Sequence, residues 1–325
     1  MEPATLESRT SVSFVVPDDP NILRDILREA NPEWSERTLQ LYSYSLGKFA
    51  GKDIADVPGT LQLLLPYKTS TVRTKLVGIV CYLKAIEDGN AEATRLLKQY
   101  RALVHESSDL IDKAYEENAL TESQQENWMT WDEVVAHRRR LVFLLRQGTA
   151  TRKEHFEALA LAMYTMIPPV RNNYGEMHIE RAEAKKRSRA FNYYLLSPTG
   201  EDKIILNRYK TAKHYGQQKI DVPKDLREIV RKSLELIPRD YLFTKVSGEP
   251  LGDSRIYQIL KNIDSEKKLG VGLLRKICKS TWSELGIKGS KKLAAAMGHS
   301  LATADHFYDS SQSLPMEQNP MGIYL

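Results

Sequence analysis

The sequence predicts a mainly α-helical chain of two domains, with a small antiparallel β-sheet inserted in the second. Three observations lead there. Apolar residues recur at three- and four-residue spacing over most of the chain. A polar stretch without periodicity, residues 118–129, interrupts that pattern. Between about residues 190 and 222 the character turns to aromatic and β-branched runs parted by Pro198-Thr199-Gly200.

Residues 1–19 show no helical period and end on Pro17 and Pro20, which predicts a flexible arm. Residues 20–120 predict a bundle of four or five helices. One stripe runs Leu39, Tyr42, Leu46, Phe49. A second runs Val72, Leu76, Ile79, Leu83, Ile86, behind Thr69 and Ser70 as caps. A third runs Leu96, Tyr100, Leu103, Leu110, Ala114, and Pro58, Pro66 and Gly89 separate them. Residues 121–129 predict a linker, and 130–325 a second domain with a C-terminal tail. Thr130 and Glu133 form a capping-box signal for a helix to about Leu145. The next helix carries Phe156, Leu159, Met163 and Met166 on one face, and Pro168-Pro169 stops it. Strands are expected over Phe191–Leu196, Lys203–Tyr209 and Gln217–Val222, after which helical patterns resume at Pro223.

Of the 325 residues, 42% are hydrophobic and 27% charged, the balance of a soluble globular protein. No apolar run approaches the roughly 20 residues of a membrane span. The N-terminus lacks the pattern of a secretory signal, so an intracellular location is expected, with no membrane partner. The two cysteines, Cys81 and Cys278, fall at apolar helical positions and predict core thiols; no Cys/His grid suggests a metal. Residues 1–60 hold ten acidic and six basic residues, whereas 261–292 hold nine basic and three acidic. Such a basic C-terminal region suits a polyanion or a solvated helix surface equally. There is no GxxxxGK[ST] loop and no GxSxG elbow, and Gly270-x-Gly272 lacks a third glycine.

What remains is an ordered series. Arg171 follows the double proline in IPPVRNNY. Lys210 and Lys213 lie between two expected strands in NRYKTAKHYG. Arg275 lies in LLRKICKSTW, His299 in MGHS, and Tyr308 nine residues after that histidine. Each taken singly has an ordinary reading as a surface, capping or packing residue. As a set, with 24 residues from Arg275 to His299, they resemble the active site of the tyrosine recombinases, or phage-integrase family. Thr303 also stands where that family's C-terminal motif has it. The resemblance covers roughly residues 130–310, and PPVRNNY with YKTAKHYG resembles recombinases of eukaryotic large DNA viruses and Crypton-like transposons more than bacterial ones.

The resemblance implies an N-terminal helical core-DNA-binding domain and an α+β catalytic domain that clamp double-stranded DNA. It implies Tyr308 as nucleophile, Arg171 and Arg275 as phosphate-binding cations, His299 as donor and proton-transfer group, and Lys210 as the acid that protonates the leaving 5′ oxygen, with Lys213 the alternative. A 3′-phosphotyrosyl intermediate conserves bond energy, so neither ATP, metal nor small-molecule cofactor is implied. The assembly implied is a homo-tetramer on two DNA sites, located with the DNA: nucleus or viral factory for a eukaryotic or viral element, otherwise cytoplasm. The pattern departs from the family at Gly272, where a His or Lys is usual. A type IB topoisomerase or telomere resolvase shares the chemistry, and a catalytically inactive DNA-binding protein is the alternative from another class. The physical logic is independent of the resemblance. A phenol of pKa about 10 needs cations or a base to attack phosphorus, and guanidinium forks match the oxygens that carry the developing charge.

Overall fold

A computed structural model describes residues 14–116, 120–171, 173–181, 187–283 and 297. The chain divides into two compact units, Met1–Glu117 and Asn118–Leu325.

In the first unit, Asp19 caps α1 (Pro20–Ala30), its side chain accepting from the Asn21 amide with Pro20 at the first helical position. Ser35 caps α2 (Glu36–Leu46), which runs into a 3₁₀ turn, Gly47–Phe49. Asp56 caps the short α3 (Val57–Gln62). The long helices α4 (Thr69–Ala85) and α5 (Ala91–Glu116) follow. Leu23, Leu27, Leu39, Leu46, Phe49, Leu76, Ile79, Leu83, Leu96 and Tyr100 close the core, with the Tyr100 hydroxyl donating to the Ile54 carbonyl at 2.8 Å.

Two expectations change here. Thr69 and Ser70 do not cap α4: the cap position falls on Lys68, which makes no side-chain capping bond. Residues 14–19 are no free arm. Phe14 and Val16 are buried in the core, Val15 bridges Asp53, Val16 bridges Ala50, and the Val16 amide donates to the Lys52 carbonyl at 3.0 Å. Residues 1–13 lie outside the described residues.

The second unit takes in the whole of the expected linker, 121–129. Thr121 and Gln124 form a capping box on α6 (Glu122–Glu126), and Met129 is buried in the core. Capping boxes also open α7 (Trp131–Gln147), through Thr130 and Glu133, and α8 (Arg152–Thr165), through Thr151 and Glu154. Gly148 ends α7 at φ 70°, where a side chain would be strained. From His155 to Thr165 every α8 residue is buried, so the helix is enclosed on all sides rather than on the single face expected.

The sheet has four strands in sequence order: β1 (His178–Arg181), β2 (Tyr193–Leu196), β3 (Lys203–Leu206) and β4 (Gln218–Asp221). Pairing is antiparallel through β2, β3 and β4, as the hairpin signal requires. The strand not foreseen, β1, adds to β2 in parallel, so the sheet is mixed. Between β3 and β4 sits a single helical turn, α9 (Ala212–Tyr215).

Then come α10 (Lys224–Leu236), α11 (Asp253–Lys261) and α12 (Val271–Ser283). An ion pair with one buried partner ties the β2–β3 hairpin to α10. The fully buried Asp202 carboxylate accepts from Arg231 at 2.6 Å, from the Ser197 amide at 2.9 Å and from the Tyr194 hydroxyl at 3.2 Å. Cys278 is buried and Cys81 half-buried, and burial pushes the thiol of each up, Cys81 to about 11. Among the described residues no helix is long and apolar enough to cross a membrane.

Candidate active site

The end of α8 sets the first functional side chain. Pro168 and Pro169 cannot continue a helix, so the chain leaves α8 and turns at Arg171. The backbone there is pinned: the Arg171 carbonyl accepts from the Tyr164 hydroxyl at 3.2 Å and from the Asn173 amide at 2.7 Å. Tyr164 packs edge-on against Tyr174 with ring centroids 5.1 Å apart. Both rings are wholly buried, and burial pushes both phenols up, outweighing the opposing pull of the Arg275 charge. These two tyrosines stay protonated and positional behind the cleft.

The segment after β3 is tied to the same turn by an amide network. The Asn192 side chain, 8% exposed, donates to the carbonyls of Asn173 (3.2 Å) and Arg208 (2.9 Å). Its oxygen accepts from the amides of Asn207 (2.9 Å) and Arg208 (2.8 Å). Asn173 in turn donates from its own amide group to the Arg208 carbonyl at 3.2 Å. The Tyr209 hydroxyl closes the β3–β4 connection on the Gly216 carbonyl at 2.8 Å. The outcome is a cleft lined by Arg171, Asn173, Tyr209, Lys210, Thr211 and Met297, among others. Lys210 is exposed there. Lys213 is exposed in α9 and does not line the cleft.

Arg275 lies behind the cleft. It is 2% exposed, and its guanidinium donates to the Pro169 carbonyl at 3.1 Å and to the Met297 carbonyl at 3.2 Å. Pro169 precedes Arg171 by two residues, and Met297 precedes His299 by two. Thus Arg171, Lys210 and Arg275 come together, two on the cleft wall and one beneath it. His299, Thr303 and Tyr308 lie outside the described residues. At Gly272 a Cβ would meet nothing within 4 Å among the described residues. Two further cations on α12 are buried: Lys276, whose ammonium is 3.5 Å from the Gln124 side-chain oxygen and whose pKa burial lowers, and Lys279, which donates to Ser283 at 2.9 Å.

No family model matches the chain, and no curated protein does. Among solved structures, the chain is similar to the crystal structure of XerA recombinase at 13% identity and a TM-score of 0.38, over 90% of this chain and 98% of that one.

The cleft presents a guanidinium and an ammonium from different elements, backed by a second guanidinium whose orientation two carbonyls fix. Guanidinium and ammonium groups of this kind can bind phosphate oxygens and neutralise charge that develops on them. Among the described residues no cluster of three or more His, Cys, Asp or Glu could hold a metal. Sequence reading missed Asn192, Asn173 and Tyr164. The one local signal was an asparagine at the mouth of an aromatic strand, in Phe191-Asn192-Tyr193.

Proposed function

We propose that this chain is a DNA strand transferase of the tyrosine-recombinase type. The observation that carries the reading is the convergence of Arg171 and Lys210 on one cleft whose Met297 wall is bonded to Arg275. In this reading the Tyr308 oxygen attacks a phosphodiester phosphorus and loses its proton, with His299 assisting. The bond from phosphorus to the 5′ oxygen breaks, and Lys210 supplies that oxygen's proton. The product is a 3′-phosphotyrosyl link, and attack by another 5′ hydroxyl reverses the step. Arg171 and Arg275 balance the charge spread over the phosphate oxygens. Double-stranded DNA is the substrate, held through Lys and Arg on phosphates with strong salt dependence. The active form is a homo-tetramer on two sites, located with its DNA.

The test uses the whole protein and suicide substrates that trap the covalent adduct. Wild type is expected to form an adduct. Tyr308→Phe is expected to form none while still binding DNA with unchanged salt dependence. Lys210→Ala is expected to be slow on ordinary DNA and rescued by a 5′-bridging sulfur, because a thiolate leaves without a proton. An adduct at the normal rate from Tyr308→Phe would move the nucleophile elsewhere, with Tyr324 the next candidate. DNA binding without any adduct from wild type would favour the inactive DNA-binding alternative. Joining of two sites, against relaxation or hairpin formation, separates recombinase from topoisomerase or resolvase.

A further inference from the structure

The sheet carries a second cleft on its other face. By the two-residue period of a strand, Tyr194, Ile204 and Leu206 enter the main core, while Tyr193, Leu195 and Ile205 point the opposite way and form a small apolar cluster of their own. That cluster floors a cleft of about 400 Å³, within the size range of small-ligand sites. The rim is basic. Arg187 and Arg189 come from the segment before β2, Lys203 from β3 and Lys219 from β4. Two of the four are matched by carboxylates: Arg187 with Glu180 at 3.0 Å and Lys203 with Asp221 at 3.2 Å. Arg189 and Lys219 are exposed, and among the described residues neither side chain has a partner.

One end of the cleft holds an amide pair. Gln217 donates to the Asn207 side-chain oxygen at 2.7 Å, and Asn207 donates onward to the Phe191 carbonyl at 2.7 Å. This chain of bonds fixes the Gln217 amide and leaves its oxygen as an acceptor with no partner among the described residues. Three chemistries therefore meet in one hollow: two unpaired cations, an apolar floor with a tyrosine, and an oriented amide edge. An inorganic anion would use only the first. A fatty anion would have no use for the third.

We propose that this cleft binds a nucleoside phosphate. The phosphate lies between Arg189 and Lys219. The base rests its face on the floor made by Tyr193, Leu195 and Ile205, and its edge meets the Gln217 amide, since a side-chain amide can donate to and accept from a base at once. The same chemistry is presented by a free nucleotide and by one nucleotide of a DNA strand. The site stands apart from the strand-transfer reading, because the first cleft uses Leu206 and Gln218, their neighbours on the opposite face of β3 and β4.

The experiment is calorimetric titration of the whole protein with dAMP, with adenosine and inorganic phosphate as partial ligands. Saturable dAMP binding is expected, with each partial ligand weaker by about tenfold or more. The double substitution Arg189→Ser with Lys219→Ser, both on the surface, is expected to weaken dAMP by a similar factor and leave the circular dichroism unchanged. Arg171→Ala with Lys210→Ala is expected to leave dAMP binding intact. A short oligodeoxyadenylate that competes with dAMP identifies a DNA strand as the source, and one that does not identifies a free nucleotide. The proposal is overturned by the absence of saturable dAMP binding, by inorganic phosphate binding as tightly as dAMP, or by dAMP binding that depends on Arg171 and Lys210 and not on Arg189 and Lys219.

Discussion

Replacing Asn192 by Leu tests whether the amide network holds the cleft in shape. The side chains are of similar size, so packing changes little while four hydrogen bonds vanish. The Arg208 carbonyl keeps the Asn173 amide as a donor. That leaves three backbone groups without their partner: the amides of Asn207 and Arg208 and the carbonyl of Asn173. At roughly 1–3 kcal/mol for each unsatisfied group, with some relief from water, the loss is about 3–5 kcal/mol. Asn192→Asp makes a useful contrast. It keeps both acceptor bonds but sets a carboxylate oxygen against two carbonyl oxygens, so it too is destabilised. Urea unfolding of the two variants gives the free energies, and amide exchange at Asn207 and Arg208 reports whether the segment leading to Lys210 loosens. The expected pattern is faster exchange there with little change in α10. A stability within about 1 kcal/mol of wild type for Asn192→Leu would refute the reasoning, since that is the ordinary cost of a substitution without a special mechanism.

Two further outcomes are expected. Gly175→Ala forces a Cβ into the backbone of Gly252 and Asp253, where Gly175 already exchanges hydrogen bonds with both residues at 3.1 Å; a loss of about 2–4 kcal/mol in urea unfolding is expected, and a neutral result would show that the loop before α11 moves freely. His155 is buried 2.7 Å from the Ser233 hydroxyl, and burial, with Arg239 and Arg152 nearby, lowers its pKa from 6.5 to about 4. The folded state thus binds fewer protons than the unfolded one. Stability from this group is full above pH 6.5 and is lost as pH falls toward 4, by about 2 kcal/mol after allowance for screening. His155→Gln, which keeps a partner for Ser233 and does not titrate, is expected to flatten that part of the stability profile; an unchanged acid slope would assign it to other groups.

The fold was legible wherever a long period repeats. The stripe Val72 to Ile86 became α4, and the stripe Leu96 to Ala114 became a single helix, α5. Boundaries were legible only where the capping chemistry is unique. Thr130 with Glu133 is one such place. At Lys68-Thr69-Ser70 two good capping residues stand in a row, yet the backbone turns helical one residue earlier, and Thr69 and Ser70 are spent inside the helix. The failures share a cause. The Val15–Asp53 and Val16–Ala50 bridges, and the parallel pairing of the four-residue β1, join short segments to distant partners. A three- or four-residue segment carries too little periodicity to announce itself, and the partner that gives it a place in the fold is not local.

The site divides along the same line, and the division bears on chemistry. Residue type and order nominate Arg171, Lys210 and Arg275, because few side chains can meet a phosphate. Their depths could not be read, because depth is set by packing across the chain. Arg275 sits 2% exposed with its guanidinium on the Pro169 and Met297 carbonyls, whereas Lys210 stands exposed on the rim. Burying a guanidinium costs several kcal/mol, which the two carbonyls offset in part. What the protein gains is a charge whose direction is fixed before substrate arrives, the condition under which a cation stabilises a transition state without reorganising. Lys210 has the opposite requirement under the proposed reaction. An acid that gives up a proton in each cleavage must recover it from solvent, and an exposed ammonium on a turn can do so. The buried tyrosines complete the contrast: burial keeps the phenols of Tyr164 and Tyr174 protonated despite the Arg275 charge. A phenol that is to attack phosphorus needs cations without such burial, and Tyr209, the phenol on the cleft wall, spends its hydroxyl proton on the Gly216 carbonyl.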